Sequence, residues 1–217
     1  IQESILIDET LENFKSNMTT EAEIAFDVDD TLAFTSEQIN TIFGAEKTVA
    51  SVTYGSSDIY DGNVLAIGKS GIYNVVVTAT DGTQKRVKMH IADEIIQTSA
   101  EMDAVLYKGT ELSGYYILGN DIDYTGATYT AYTAEMTGNG FTGTFDGRNY
   151  TIKNYAQPYG ATCYALFGYL KGATIKNVNF DSVAVNGWEN SSLFAKYMFD
   201  STIENVTIRN AKFSENI

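Results

Sequence analysis

One cysteine, one histidine and three arginines are all that 217 residues contain of three residue types on which much site chemistry depends. Cys163 alone can build neither a disulfide framework nor a cysteine-based metal site, and beside Tyr164 and Leu166 it reads as a small buried apolar residue. His90 follows Arg86 and Lys88 on one parity of a strand whose other parity is Val87, Met89 and Ile91, so it is expected on the solvent face. Arg86, Arg148 and Arg209 form no basic cluster, and 14 basic against 28 acidic residues leave a formal charge of −14. That balance excludes a nucleic-acid partner and disfavours an anionic membrane surface. No run reaches the roughly 20 apolar residues of a membrane span, so no membrane insertion is expected. Neither a leader peptide nor an initiator methionine is present, and the chain reads as a fragment of a longer polypeptide.

A short phrase recurs through the second half. Thr151-Ile152-Lys153-Asn154, Thr174-Ile175-Lys176-Asn177 and Thr202-Ile203-Glu204-Asn205 are near copies, and Leu118-Gly119-Asn120 is a weaker one. The asparagines are separated by 34, 23 and 28 residues, intervals of the size of one structural repeat. An aliphatic residue pointing inward, followed by an asparagine able to take the left-handed conformation of a corner, predicts one winding per phrase. Asn120, Asn154, Asn177 and Asn205 are then expected in one column. Leu166-Phe167-Gly168-Tyr169 returns as Leu193-Phe194-Ala195-Lys196, which marks a second side of the same winding. Phe141 to Ile152 alternates around the Asp146-Gly147 turn. Together these phrases, over residues 110 to 213, resemble the GLUG-like right-handed parallel β-helix repeats of bacterial surface proteins. The resemblance implies a secreted or cell-surface adhesin-like protein with no shared catalytic set. The long first interval implies a loop near 124 to 139. The strand phrase at residues 202 to 213 carries no polar cap, so further windings are expected beyond Ile217.

The first half reads differently. Residues 22 to 93 break into short strands between turns, with no sustained helical periodicity. Tyr73, Val75, Val77 and Ala79 share one face before the Asp81-Gly82 hairpin turn. This segment resembles the penultimate strand of bacterial immunoglobulin-like domains, and by that resemblance Tyr73 makes a tyrosine corner. Residues 1 to 21 are assigned to a linker or short helix.

A competing motif sits at Ile24-Ala25-Phe26-Asp27-Val28-Asp29-Asp30-Thr31-Leu32, which resembles the first motif of haloacid-dehalogenase-type phosphatases. The resemblance would make Asp27 the nucleophile and Asp29 the acid and base. That fold needs alternating strands and helices, and turn-rich β sequence follows instead. An acidic loop is expected here, with Asp27, Asp29 and Asp30 as candidate calcium ligands and no other cofactor.

The expected architecture is therefore all-β: an immunoglobulin-like β-sandwich over residues 22–94, then a right-handed parallel β-helix over 95–217. The expected function is non-catalytic, with a glycan or a host or matrix protein as partner. Tyr124, Tyr129, Tyr132 and Trp188 are the candidate binding residues, because exposed aromatics stack on sugar rings or anchor protein contacts. The alternative is a polysaccharide lyase or hydrolase. Asp181 and Asp200 are its nominal carboxylates, but neither lies in a phrase that specifies a cleft.

Overall fold

A computed structural model describes residues 20–106, 112–127, 140–157, 165–187 and 192–215. The protein is mostly β, and it divides into two compact units, one through Ile91 and one from Ala92.

The first unit is built on one five-stranded sheet in the order β1-β5-β4-β2-β3. Its strands are β1 (Ala22–Asp27), β2 (Val49–Tyr54), β3 (Ser57–Asp58), β4 (Gly71–Ala79) and β5 (Gln84–Ala92). The β2–β3, β2–β4 and β4–β5 pairs are antiparallel. Alternation in β4 buries Val75, Val77 and Ala79, and β5 answers with Val87, Met89 and Ile91. Gly82, at φ 85, takes the left-handed position of the hairpin, and the Thr83 amide donates to Asp81 Oδ1 at 2.9 Å. The hydroxyl of Tyr73 donates to the Lys69 carbonyl at 2.9 Å, the bond expected of a tyrosine corner.

The second sheet that a sandwich requires is not found among the described strands. A helix, α1 (Ser36–Phe43), contributes Ile42 to the core instead, together with Leu32 and Leu65. Sequence periodicity missed α1 because eight residues are too few to show it; its signals are at the ends. Thr35 and Gln38 form a reciprocal capping box, and Gly44 closes the helix at φ 70. Gln38 also donates to the Ala25 carbonyl at 2.8 Å, tying α1 to β1. His90 departs from expectation as well. It is buried at 2% exposure, with Nε2 at 2.9 Å from Glu23 Oε1, because β1 lies beside β5 and brings Glu23 to it.

The second unit pairs its described strands in parallel throughout. After β6 (Glu94–Ile96) and α2 (Ser99–Leu106) come β7 (Tyr115–Leu118), β8 (Ile122–Asp123), β9 (Thr144–Asp146) and β10 (Thr151–Lys153). They are followed by β11 (Tyr169–Lys171), β12 (Thr174–Asp181), β13 (Ala184–Gly187), β14 (Tyr197–Phe199), β15 (Thr202–Arg209) and β16 (Lys212–Glu215). One ladder stacks β8, β10 and then the second arms of β12 and β15, so that Ile122, Ile152, Phe180 and Ile208 form a column. A second aligns Leu112, Phe141, Leu170 and Met198, and a third aligns Ala156, Ala184 and Lys212. Successive members are 28 to 30 residues apart. The inward side chains make one continuous core from Ile96 to Leu193.

The four asparagines do not share a column. Asn149, Asn177 and Asn205 are all left-handed, at φ 65, 52 and 51, and stand at one corner. Asn154, Ser182 and Asn210, at φ 57, 56 and 51, stand at another. The 23-residue interval thus runs between different corners. Asn120 adopts neither role, donating instead to the Gln97 and Asp121 carbonyls. The amides do bond along the stack: Asn205 Nδ2 to Asn177 Oδ1 at 3.1 Å, and Asn177 Nδ2 to Asp146 Oδ1 at 3.0 Å.

Candidate binding surface

Of the aromatic residues expected to bind a partner, Tyr124 is in the core. Its ring meets Tyr155 edge-on at 5.2 Å between centroids, and its hydroxyl donates to Asp103 Oδ1 at 3.0 Å. At 2% exposure its side chain offers no surface to a ligand. Tyr129, Tyr132 and Trp188, the greater part of the anticipated 124–139 loop, and Cys163 lie outside the described residues.

The acidic segment ends β1. Asp29 and Asp30 are exposed, and the Asp27 carboxylate accepts the Asp29 amide at 3.0 Å. The β2–β3, β2–β4 and β4–β5 pairings are antiparallel, so the sheet to which Asp27 belongs is not the all-parallel, helix-flanked sheet that phosphoryl transfer of the dehalogenase type requires. Among the described residues no group of three or more histidine, cysteine, aspartate or glutamate side chains is placed to hold a metal ion.

Outward-facing side chains of the long ladder form a shallow groove of about 210 Å³ open to solvent, lined by Thr151, Lys153, Asn179, Asp181, Thr207 and Arg209. Its two walls follow from strand parity. Thr151, Asn179 and Thr207 stack on one side, and Lys153, Asp181 and Arg209 on the other, one residue per level at the ~4.8 Å spacing of paired strands. Lys153 donates to Asp121 Oδ2 at 2.6 Å, which holds the Asp121 carboxyl below its ordinary range and raises the lysine. The Asn210 amide, donating at 2.8 Å, is the main cause that keeps Asp181 low. The groove therefore presents hydroxyls, an amide and fixed charges of both signs.

A second surface lies on the outer face of β11 and β14. Tyr169 pairs in register with Tyr197, and Lys171 with Phe199. The Tyr169 ring stacks on Phe199 at 5.5 Å and 26°, and lies 5.8 Å from Tyr197. Tyr197 and Phe199 are each 51% exposed. One level earlier, Gly140 leaves room for this arrangement: a Cβ there would stand 2.7 Å from Tyr169 Cδ1 and 2.6 Å from its carbonyl oxygen. Sequence reading missed this group because it counted tyrosines without their parity. The alternation Tyr197-Met198-Phe199, aligned 28 residues after Tyr169-Leu170-Lys171, carried the signal.

The family model of the M26 IgA1-specific metallo-endopeptidase N-terminal region matches residues 105–210. No curated protein matches the chain, and no solved structure does. The family match overturns the expectation of a non-enzyme, because it points to a protease family through that family's N-terminal region. The metal implied by such a family does not fit these residues. A zinc centre takes three or four ligands from histidine, cysteine and carboxylates. The one histidine of the chain is buried against Glu23, and no metal-holding group occurs among the described residues. No helix among them is long and apolar enough to cross a membrane.

Proposed function

We propose that this chain is a recognition region of a metallo-endopeptidase-type protein, secreted or held at a bacterial surface, that binds glycan or host and matrix protein. In this proposal the second unit is a right-handed parallel β-helix, and the first is an immunoglobulin-like spacer whose described residues make one sheet and a helix. The carrying observation is the regular outer face of the long ladder. Three consecutive levels present Thr151, Asn179 and Thr207 beside Lys153, Asp181 and Arg209, with hydrogen-bonding groups at a fixed repeat that suits a linear polar ligand. The family match agrees with such a role, being to the N-terminal region of proteases whose description names IgA1. A host protein would then be the substrate of the whole enzyme.

The test is binding of the purified 217-residue chain to a glycan array and to immobilised immunoglobulin and matrix proteins, with peptide hydrolysis measured in the presence of Zn²⁺ on the same sample. Saturable binding that weakens in Lys153→Ala and Arg209→Ala is the expected result. Hydrolysis by the chain itself, or no binding to either class, would overturn the proposal.

A further inference from the structure

We infer that Tyr169, Tyr197 and Phe199, with Lys171 and Lys196, form a platform for an acidic sugar, a pyranose bearing a carboxylate. This rests on the glycan-recognition reading above and assigns it a site outside the groove. The exposed large hydrophobic residues of the last level fall into two sets. Met198, Ile208 and Phe213 continue inward columns, after Leu170, Phe180 and Val185, and their exposure reflects the edge of the stack. Tyr197 and Phe199 have the opposite parity and point away from the core, and Tyr169, at the same position one level earlier, keeps part of its surface open even with both of their rings packed against it.

Charge decides what covers this platform. The chain carries −14, yet the positions at this patch are cationic: Lys171 pairs in register with Phe199, and Lys196 Nζ lies 5.5 Å from the centre of the Tyr197 ring. Neither lysine is ion-paired to a described residue, and both are exposed. A stacked aromatic pair offers its faces to the C–H side of a sugar ring, and ammonium groups at its margin would take a carboxylate in charge-assisted hydrogen bonds. Long alkyl stems let the two lysines move over the ring edges to do so. Neutral sugars would use the rings alone and bind more weakly.

The experiment is calorimetric titration of the whole chain with sialyllactose, trigalacturonate and neutral lactose. The acidic probes should bind more tightly than lactose. Tyr197→Ala and Phe199→Ala should each weaken them by about tenfold, as expected for loss of an aromatic contact. Lys171→Gln combined with Lys196→Gln should remove the preference for acid over neutral sugar while the thermal midpoint stays unchanged. If the acidic probes bind equally well to the aromatic variants, the platform is refuted and glycan recognition stands elsewhere. If no carbohydrate binds but a deglycosylated matrix protein does, in a manner sensitive to Tyr197→Ala, the ligand class is refuted. Absence of all binding refutes both the platform and the function proposed above.

Discussion

At the scale of single residues, the stack is held to its spacing by glycines whose role is close approach. A Cβ on Gly143 would lie 2.1 Å from the Gly114 carbonyl oxygen and 2.8 Å from the Ser113 carbonyl carbon, both backbone atoms of the preceding level that cannot rotate away. Gly172 is the control: it is left-handed at φ 64 with nothing near its absent Cβ. Gly143→Ala should therefore cost about 3 kcal/mol or more, through separation of two strands. Gly172→Ala should cost only about 1 kcal/mol of conformational strain. Urea denaturation of the two variants checks this, and equal losses would mean that the levels can slide apart without penalty. The corner asparagines teach a related lesson about legibility. That asparagine marks corners was readable from the phrase Thr-Ile-x-Asn, but which corner was not. Asn154 and Asn177 carry the same phrase at different bends, and only pairing shows that Asn149 and Asn210 complete the two columns. Identical local chemistry suits every sharp corner, so the sequence repeat and the spatial repeat are out of phase.

At the scale of elements, α2 ends the core on one side. Thr98 and Glu101 form its cap, with Glu101 accepting from the Gln97 and Thr98 amides at 2.7 and 3.0 Å, and Met102, Val105 and Leu106 are buried. The Thr-x-x-Glu signature was present in sequence, but β periodicity on both sides obscured an eight-residue helix. Asp103 in α2 is half-buried; burial raises its pKa, and the hydroxyl bond from Tyr124 only partly offsets this. A carboxyl whose folded pKa exceeds its unfolded one stabilises the fold fully below the unfolded pKa, and that contribution declines as pH rises through the folded pKa. Asp103→Asn keeps an acceptor for Tyr124 and removes the decline. Its thermal midpoint relative to the parent should thus improve from pH 4 to pH 7. A difference independent of pH would show that Asp103 is solvated like an ordinary surface carboxylate.

At the scale of the whole molecule, the two halves differ in how far contacts reach along the chain. Strand parity made much of both cores legible, from Val75 and Val77 to Ile152 and Ile175, because an aliphatic at alternate positions must face inward whatever the topology. The partners of those strands were less legible. A hairpin such as β4–β5 announces itself through Asp81-Gly82, whereas among the described residues of the first unit the core of the sheet is covered by α1 and the 59–67 segment in place of a second sheet. The candidate surface was least legible, since Tyr124 and Tyr197 look alike as letters, yet one is 2% exposed and the other 51%. Two separate hydrophobic clusters, one through Val75 and one through Ile175, predict two cooperative units. Val75→Ala should lower one thermal transition and Ile175→Ala another, each residue being fully buried and its truncation worth about 2–4 kcal/mol. Calorimetry on the intact chain tests this. If both substitutions shift a single transition together, the chain unfolds as one cooperative unit and the separation into two cores carries no energetic independence.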